Sequence, residues 1–400
     1  MSWLELAEDT LFGPDNLPYG VFSRAGGPER RIGVAVGGYV LDLAAASEDL
    51  AAPFAPLVAG EALNPLLAAG RPRWQEVRNY VREWLDDARF ADQVRPHLVP
   101  AGEVTMHLPF EVADYVDFYS SEQHAVNAGK IFRPDAADLP PNWKHLPIGY
   151  HGRAGTVVVS GTPVVRPSGQ RKPRNAVEPS FGPSQRLDIE AEVGFVVGTP
   201  STLGTQVSTS DFEQHVFGVC LVNDWSARDI QAWEYQPLGP FLGKSFATSV
   251  SPWIVPLEAL EHARVAPPAQ DPEPFEYLRT KENWGLDLAI EVRLNGHLVS
   301  SPPFATQYWT APQQLAHMTV NGASLRTGDF FASGTVTGPA REQRGSFLEL
   351  SWGGQEPFDV GGETRTFLED GDEVVLSATA PGPAGKRIGF GEVRGRIVPG

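Results

Sequence analysis

Apolar and polar residues alternate in short runs along most of the chain, and glycine or proline separates the runs. Near the start, the runs 19–23 and 32–43 predict strands on either side of a turn at 26–28. Apolar residues then recur at the spacing of one helical face over 74–85, which predicts a helix with a buried aromatic stripe. A small β unit with one packed helix is therefore expected in the first hundred residues.

Valine-rich runs dominate the rest of the chain, which follows a short Pro/Gly segment at 99–102. These runs predict strands over 156–159, 187–197, 216–222, 286–294 and 373–376. The dipeptide Asn295-Gly296 predicts a tight hairpin, whereas the proline-rich segment 265–275 predicts a surface loop. The pattern predicts a mainly β fold, with a first domain over 1–104 and a second over 105–400.

Charge and composition then narrow the class of protein. The 400 residues carry 32 Lys+Arg against 49 Asp+Glu, and the resulting net charge of −17 argues against a nucleic-acid-binding surface. A single cysteine, Cys220, excludes an internal disulfide and a cysteine-ligated zinc site. Since the chain has no basic leader and no apolar stretch of membrane-spanning length, a cytoplasmic protein without a membrane or nucleic-acid partner is expected.

Three acidic residues alternate along the run 187–197, at Asp188, Glu190 and Glu192. In a strand they would share one face, where their like charges repel. One interpretation is a solvated outer face. The other is a site for a hard cation, because carboxylates at alternating positions can converge on Ca²⁺ or Mg²⁺. The pattern alone leaves both interpretations open.

Two further carboxylates have polar neighbours that suit chemistry. Asp117 precedes His124 by seven positions, so a hard-metal ligand and an imidazole base could share one cleft. Asp224 ends an apolar run that leads into a predicted helix, on which Arg228 and Gln231 share one face. That face could present a cation and an amide to an oxyanion. The simpler interpretation is that Asp224 caps the helix and Arg228 forms a surface ion pair.

Three polar residues stand in apolar surroundings later in the chain. Lys244 follows a run of glycine, proline and leucine, which predicts a partly buried lysine that must be paired and could stabilise negative charge beside a metal. Thr335 and Glu349 belong to two late segments, and Glu349 interrupts an apolar run.

Six motifs are long enough to be specific. They are Asn-Leu-Pro-Tyr-Gly-Val-Phe at 16–22, Asp-Phe-Tyr-Ser-Ser at 117–121 with His124, Pro-Asn-Trp-Lys-His-Leu-Pro-Ile-Gly-Tyr-His-Gly-Arg at 141–153, Asn-Asp-Trp-Ser-Ala-Arg-Asp-Ile-Gln at 223–231, Trp-Glu-Tyr-Gln-Pro-Leu-Gly-Pro-Phe-Leu-Gly-Lys-Ser-Phe at 233–246 and Leu-Glu-Leu-Ser-Trp at 348–352. With these motifs the chain resembles, nearly end to end, the full-length members of the fumarylacetoacetate hydrolase family.

The resemblance implies an architecture and a reaction. The expected fold is an N-terminal SH3-like β-barrel followed by a C-terminal mixed β-roll that holds the active site, and the expected assembly is a homodimer. The implied reaction is the hydrolysis of the carbon–carbon bond of 4-fumarylacetoacetate, a small-molecule substrate, to fumarate and acetoacetate. This is the last step of tyrosine and phenylalanine catabolism.

Position within the matching motifs also implies roles for single residues. The expected ligands of Ca²⁺ or Mg²⁺ are Asp117, Glu190, Glu192 and Asp224, with Lys244 and Thr248 also linked to Mg²⁺. The water-activating base is expected at His124, with Glu349 as its orienting partner. Oxyanion and carbanion stabilisers are expected at Arg228, Gln231 and Lys244. Substrate contacts are expected at Tyr119, Arg133, Tyr150, Gln231, Tyr235 and Thr335.

One position departs from the family pattern, since Ala247 stands where glycine is frequent. Two alternatives also stay open. The first is another reaction on the same fold, such as acylpyruvate hydrolysis, hydration or decarboxylation of a small 2-oxo acid. The second is a non-catalytic, Ca²⁺-stabilised β module, which would have no need of His124, Lys244 and Glu349 together.

Overall fold

A computed structural model describes residues 3–135, 138–173 and 175–400. The mainly β class is confirmed, with 30% of the residues in strands, 27% in helices, and the sheets curled into half-barrels. Within the described ranges, no helix combines the length and the apolar character that a membrane crossing requires.

The first sheet is antiparallel and five-stranded, in the spatial order β4-β3-β2-β1-β5. Its strands are β1 (Tyr19–Arg24), β2 (Arg31–Val36), β3 (Tyr39–Asp42), β4 (Leu98–Pro100) and β5 (Val104–His107). The predicted run 32–43 is a hairpin rather than one strand, because Gly37 turns the chain with a φ of +56°. The predicted boundary at 104/105 falls inside β5, and the division into two domains stays a prediction.

Helices pack against this sheet in a shared hydrophobic core. They are α1 (Leu43–Asp49), α2 (Ala55–Val58), α3 (Asn64–Ala68), α4 (Arg71–Asp86) and α5 (Ala91–Val94). The helix predicted over 74–85 is confirmed as α4, which buries the apolar stripe that includes Trp74 and Trp84.

The remaining strands run from residue 114 to residue 398. They are β6 (Asp114–Phe118), β7 (Gly149–His151), β8 (Val157–Val159), β9 (Val164–Val165), β10 (Ser168–Arg171), β11 (Ser180–Pro183), β12 (Leu187–Asp188), β13 (Ala191–Val197), β14 (Val216–Asp224), β15 (Ser226–Ala227), β16 (Thr248–Val250), β17 (Val255–Pro256), β18 (Arg264–Val265), β19 (Gly285–Leu286), β20 (Ala289–Leu294), β21 (His297–Ser300), β22 (Asp329–Ala332), β23 (Phe358–Val360), β24 (Glu363–Arg365), β25 (Glu373–Pro381) and β26 (Arg387–Val398). The helices between them are α6 (Glu122–Phe132), α7 (Phe212–His215), α8 (Arg228–Glu234), α9 (Ala311–Thr319) and α10 (Phe347–Leu350).

Two larger sheets organise this part. One follows the order β7-β6-β22-β13-β14-β16-β8, with β17 also paired to β14, and the other follows β21-β20-β25-β26-β9. The predicted hairpin is confirmed between β20 and β21, where Asn295 and Gly296 have φ of +51° and +84°. The predicted strand 187–197 is broken between β12 and β13, where the backbone N–H groups of Ile189 and Glu190 donate to the side chains of Asp188 and Asn223.

Strand β14 lies between two hydrophobic cores. Val219 and Leu221 belong to the core beneath the second large sheet, whereas Cys220 and Val222 belong to a core shared with the first sheet and its helices. Tyr19 of β1 exchanges two backbone hydrogen bonds with Ile254, at 2.9 and 2.8 Å. The N-terminal sheet therefore forms part of the packing that supports β14.

Candidate active site

Four carboxylates meet at one edge of the largest sheet. Strands β6 and β22 are parallel, and each of the pairs β22–β13 and β13–β14 is antiparallel, so the ends of β6 and β14 lie beside the start of β13. These ends carry Asp117, Asp224 and Glu192, and Glu190 directly precedes β13. One ligand oxygen from each of the four lies within 4.8 Å of those of the other three.

Burial decides between the two interpretations of the acidic run. Glu190 and Glu192 are 5% and 0% exposed, so the solvated outer face is wrong. Asp117 Oδ1 and both carboxylate oxygens of Glu192 have no hydrogen-bond partner among the described residues. Burial, with added repulsion from the neighbouring carboxylates, raises the pKa of Asp117 and Glu192 well above the usual range. This oxygen-only set with open valences fits a hard divalent cation.

Lys244 lies against the same cluster as a charged partner. Its Nζ donates to Asp224 Oδ2 at 2.8 Å and to Glu190, and lies 3.9 Å from Asp117 Oδ2. Burial alone would lower the pKa of Lys244, but the carboxylates outweigh burial and raise the pKa above its usual range. Thr248 Oγ1 donates to the other oxygen of Asp224 at 2.8 Å. The prediction of a buried, paired lysine is confirmed.

Arg228 opens α8 and is also buried. Its Nη1 lies 2.7 Å from Glu190 Oε1 and donates to Gln231 Oε1 at 3.1 Å, while its Nε donates to Asp188 Oδ2 at 2.7 Å. The remaining Nη2 has no partner among the residues described. The surface ion pair and the helix cap are both wrong as simpler interpretations, because Arg228 is 3% exposed and Ala227, rather than Asp224, is the N-cap residue of α8.

His124 and Glu349 form a second buried pair. Ser121 caps α6, accepting the His124 N–H, and α10 presents Glu349, whose Oε2 lies 2.7 Å from His124 Nδ1. Thr337 and Ser346 donate to the same oxygen, and Asn127 donates to Oε1 at 2.9 Å. Although burial raises the pKa of Glu349, His124 and these donors outweigh it and hold that pKa below its usual range. The ionised Glu349 therefore selects the tautomer with a proton on Nδ1.

A cavity of about 440 Å³ joins the two buried groups. Polar residues on its wall include Asp117, Tyr119, His124, Arg133, Tyr150, Glu190, Arg228, Gln231, Tyr235, Lys244 and Thr335. Phe132, Ile148 and Leu238 contribute apolar surface. Thr335 Oγ1 is buried and, like Arg228 Nη2, has no partner within the described ranges. Two open donor groups thus border a cavity of small-molecule size.

The structure brings nearly all of the predicted residues to this place. Glu192, Asp224, Thr248 and Glu349 lie behind the cavity wall, in contact with residues that line it or with one another. Ala247 is buried in the hydrophobic core. Sequence reasoning did not assign Asp188 to Arg228, nor Asn127, Thr337 and Ser346 to Glu349. Their contacts join distant segments, and only the capping position of Ser346 before an apolar turn carries a local signal.

Known proteins are similar to this chain along its whole length, and they belong to the family that the motifs indicate. Residues 114–398 match the family described as fumarylacetoacetate (FAA) hydrolase C-terminal, and residues 15–109 match fumarylacetoacetase N-terminal. The fumarylacetoacetase of Homo sapiens is 47% identical over 415 residues, covering 100% of this chain and 99% of the human protein. The fumarylacetoacetase of Caenorhabditis elegans is 48% identical over 414 residues, with coverage of 100% and 99%.

Solved structures share the fold at lower sequence identity. A fumarylacetoacetate hydrolase from Exiguobacterium antarcticum matches with a TM-score of 0.55 at 19% identity, covering 96% of this chain and 100% of that chain. A putative HpcE protein from Mycobacterium smegmatis matches with a TM-score of 0.57 at 18% identity, covering 95% and 99%.

Proposed function

The chain belongs to the fumarylacetoacetate hydrolase family, and from that membership we propose that it hydrolyses the carbon–carbon bond of 4-fumarylacetoacetate to fumarate and acetoacetate. This reaction ends tyrosine and phenylalanine catabolism. The observation that carries the proposal is the cavity that joins a buried imidazole–carboxylate pair to four clustered carboxylates, two of which have oxygens without a partner among the described residues. Cleavage of this bond needs a base that activates water, which the imidazole–carboxylate pair offers. It also needs stabilisation of the carbanion that leaves as an enolate, which a cation held by the carboxylate cluster would offer.

We propose that Asp117, Glu190, Glu192 and Asp224 hold the cation, as Ca²⁺ or Mg²⁺. When bound, this cation would supply Lewis acidity to the diketone and positive charge to stabilise the enolate. The unmatched oxygens of Asp117 and Glu192 support this assignment. The link of Lys244 and Thr248 to Mg²⁺ stays a prediction: a charged ammonium has no lone pair to offer, and both side chains donate to Asp224.

His124 is the proposed base. With Nδ1 held by Glu349, the other ring nitrogen, Nε2, is left as the acceptor for a proton from water. The resulting hydroxide attacks the ketone carbon, and Glu349 stabilises the imidazolium that forms. Because Glu349 is itself held by Asn127, Thr337 and Ser346, it keeps the imidazole in one orientation throughout.

Arg228, Gln231 and Lys244 are proposed to stabilise the oxyanion and the carbanion. Arg228 Nη2, which has no partner in the described part of the chain, is the donor proposed for a substrate oxygen. Its neighbour Gln231 turns its carbonyl oxygen to Arg228, so that the amide N–H groups remain for the substrate. Such donors act strongly because the site is buried and they are already oriented before the reaction.

Substrate contacts are proposed for Tyr119, Arg133, Tyr150, Gln231, Tyr235 and Thr335, all of which line the cavity. Arg133 offers a positive charge to a terminal carboxylate of the dianionic substrate. The chain's net charge of −17 would repel such a substrate at long range, so attraction must come from local cations.

We also propose that the protein is a cytoplasmic homodimer. Sedimentation of the purified protein at micromolar concentration, and fractionation of its host cell, test these two points directly. A monomer in solution, or recovery with membranes, would contradict them.

The function is tested by following the loss of diketone absorbance after fumarylacetoacetate is added, with and without EDTA. Turnover that EDTA stops and Ca²⁺ or Mg²⁺ restores is expected. Turnover of an acylpyruvate alone would favour the other reaction on this fold. Binding of Ca²⁺ without any turnover would favour the non-catalytic module.

A further inference from the structure

Asp188 has no role in the reaction described above, yet it contacts both halves of the site. Its side chain is 0% exposed. One oxygen accepts the Nε–H of Arg228 at 2.7 Å and the backbone N–H of Leu348 at 3.0 Å. The other accepts the backbone N–H groups of Ile189 and Phe347, both at 2.7 Å. A buried carboxylate with this many donors is held in one orientation.

On the Arg228 side, Asp188 fixes the plane of the guanidinium. Glu190 and Gln231 engage only Nη1. The hydrogen bond from Nε to Asp188 is a second anchor. It prevents the guanidinium from pivoting about its contacts at Nη1, and so determines the direction of Nη2, which has no partner among the described residues. Since a planar guanidinium offers donors in fixed directions, two anchored nitrogens set the direction of the third.

On the other side, Asp188 holds the first turn of α10. Phe347 and Leu348 are the two residues before Glu349 on that helix. The carboxylate that orients Arg228 is thus attached to the backbone from which Glu349 reaches His124, at 2.7 Å. A single side chain connects the element carrying the oxyanion donor to the element carrying the partner of the base.

We propose that Asp188 is a positioning residue: its carboxylate, itself anchored by the backbone of the turn that carries Glu349, orients Arg228 Nη2 toward the oxyanion. The proposal rests on the proposed hydrolase function. Asp188 touches neither substrate nor reacting atoms, and it acts through Arg228. Its removal should therefore lower kcat, because the donor is used in the transition state, and leave KM nearly unchanged.

The test is Asp188→Asn, which keeps the shape and loses the charge. We expect kcat to fall about 100-fold, as for loss of one oriented oxyanion donor, with KM changed less than about threefold. In the Arg228→Met background the same substitution should lower kcat no further, because the group through which it acts is gone. Additive losses, or a wild-type kcat in folded Asp188→Asn, would overturn the proposal.

Asp229→Asn is the matched control. Asp229 is the next residue on α8, and it accepts from Ser184 Oγ at 2.6 Å and from the Gln185 N–H at 2.8 Å, away from the cavity. Its kcat should equal that of the wild type. Should Asp188→Asn fail to fold, Asp188→Glu keeps the buried charge but displaces the carboxylate from the Arg228 Nε–H, and it should still lose more than about tenfold in kcat. Near-normal turnover of Asp188→Glu would overturn the proposal as well.

A readout independent of turnover separates this proposal from the function on which it rests. In ¹⁵N NMR spectra the Arg228 Nε–H, assigned by its absence in Arg228→Lys, should exchange slowly in the wild type and rapidly in Asp188→Asn. Slow exchange in both proteins would overturn the positioning role whether or not fumarylacetoacetate is hydrolysed. Absence of wild-type turnover would instead contradict the function alone.

Discussion

The cavity lies between two kinds of buried carboxylate, the four-carboxylate cluster and Glu349, and the protein gives them very different numbers of hydrogen-bond partners. Glu349 is fully buried and each of its oxygens has a partner. Glu192 is equally buried and neither of its oxygens has one among the described residues. The pKa shifts follow this difference: burial and like charges raise the pKa of Glu192, while partners lower that of Glu349 despite burial.

This contrast shows which buried carboxylate the polypeptide satisfies with its own hydrogen-bond donors. When the folded chain itself supplies all the hydrogen-bond partners of a buried charge, that charge needs no external ligand and can orient a neighbouring side chain. A buried carboxylate that the chain leaves unsatisfied needs a ligand from outside to be stable as an anion. Glu349 is of the first kind. Among the described residues, Glu192 and one oxygen of Asp117 are of the second kind, whereas Glu190 and Asp224 in the same cluster already accept from Lys244.

The largest effect is expected from Asp224→Ala. Asp224 is a proposed cation ligand and also anchors Lys244 and Thr248, so its loss should remove both metal binding and all measurable turnover. Calorimetric titration with Ca²⁺ and the diketone assay measure the two effects. Unchanged metal content in the purified variant would reject the four-carboxylate site.

His124→Ala should separate the two regions. We expect turnover to fall by about 100- to 10,000-fold, the usual contribution of a general base, while metal affinity stays close to the wild-type value. The diketone assay and Ca²⁺ titration check this. Near-normal activity would disprove the role of the His124–Glu349 pair.

Neutral substitutions at the two glutamates should differ in their effect on the metal-free protein. Glu349→Gln should lower the free energy of unfolding by about 3 kcal/mol, since it breaks a satisfied buried pair. Glu192→Gln should change it by less than about 1 kcal/mol, because the raised pKa of Glu192 already favours its neutral form, yet it should weaken Ca²⁺ binding. Urea unfolding in EDTA measures the free energy of unfolding of both variants. Equal losses of stability in Glu349→Gln and Glu192→Gln would contradict the contrast between the two glutamates.

The effect of Glu349→Gln should also depend on pH with a definite sign. A carboxyl whose pKa is lowered on folding stabilises the fold above its unfolded pKa of about 4.3, and this stabilisation is lost as the pH falls through the folded value. The difference between wild type and Glu349→Gln should therefore be constant near neutrality and shrink below about pH 4. A difference that grows in acid would show the opposite shift.

The smallest effect concerns Cys220, a buried ionisable group whose pKa is shifted by burial alone. Burial raises the pKa of its thiol above the usual range, so the thiol stays neutral in the folded protein. Thiol reagents at pH 8 should label it only after denaturation, without loss of activity in the native enzyme. Rapid labelling of native protein would show that this core opens to solvent.

The sequence predicted which residues form the site better than it predicted the hydrogen bonds that join them. Alternation and the turn residues predicted β1, β14 and the hairpin at Asn295 because those features are local. The motifs predicted the residues around the cavity. The role of Asp188 could not be predicted from alternation, which assumes an unbroken strand; the chain departs from that pattern at Ile189 and Glu190, and Asp188 meets Arg228 instead.

The packing of β14 has a consequence for what counts as the smallest working unit. Phe217 on this strand packs edge-on against Tyr19 and Trp74 of the N-terminal part, each at a ring-centroid separation of 5.3 Å. A fragment starting at residue 105 would expose this aromatic face to water, on the strand that ends at Asp224. Cutting the gene at the predicted boundary would therefore yield an aggregation-prone fragment, and the whole chain is the unit to express or transplant.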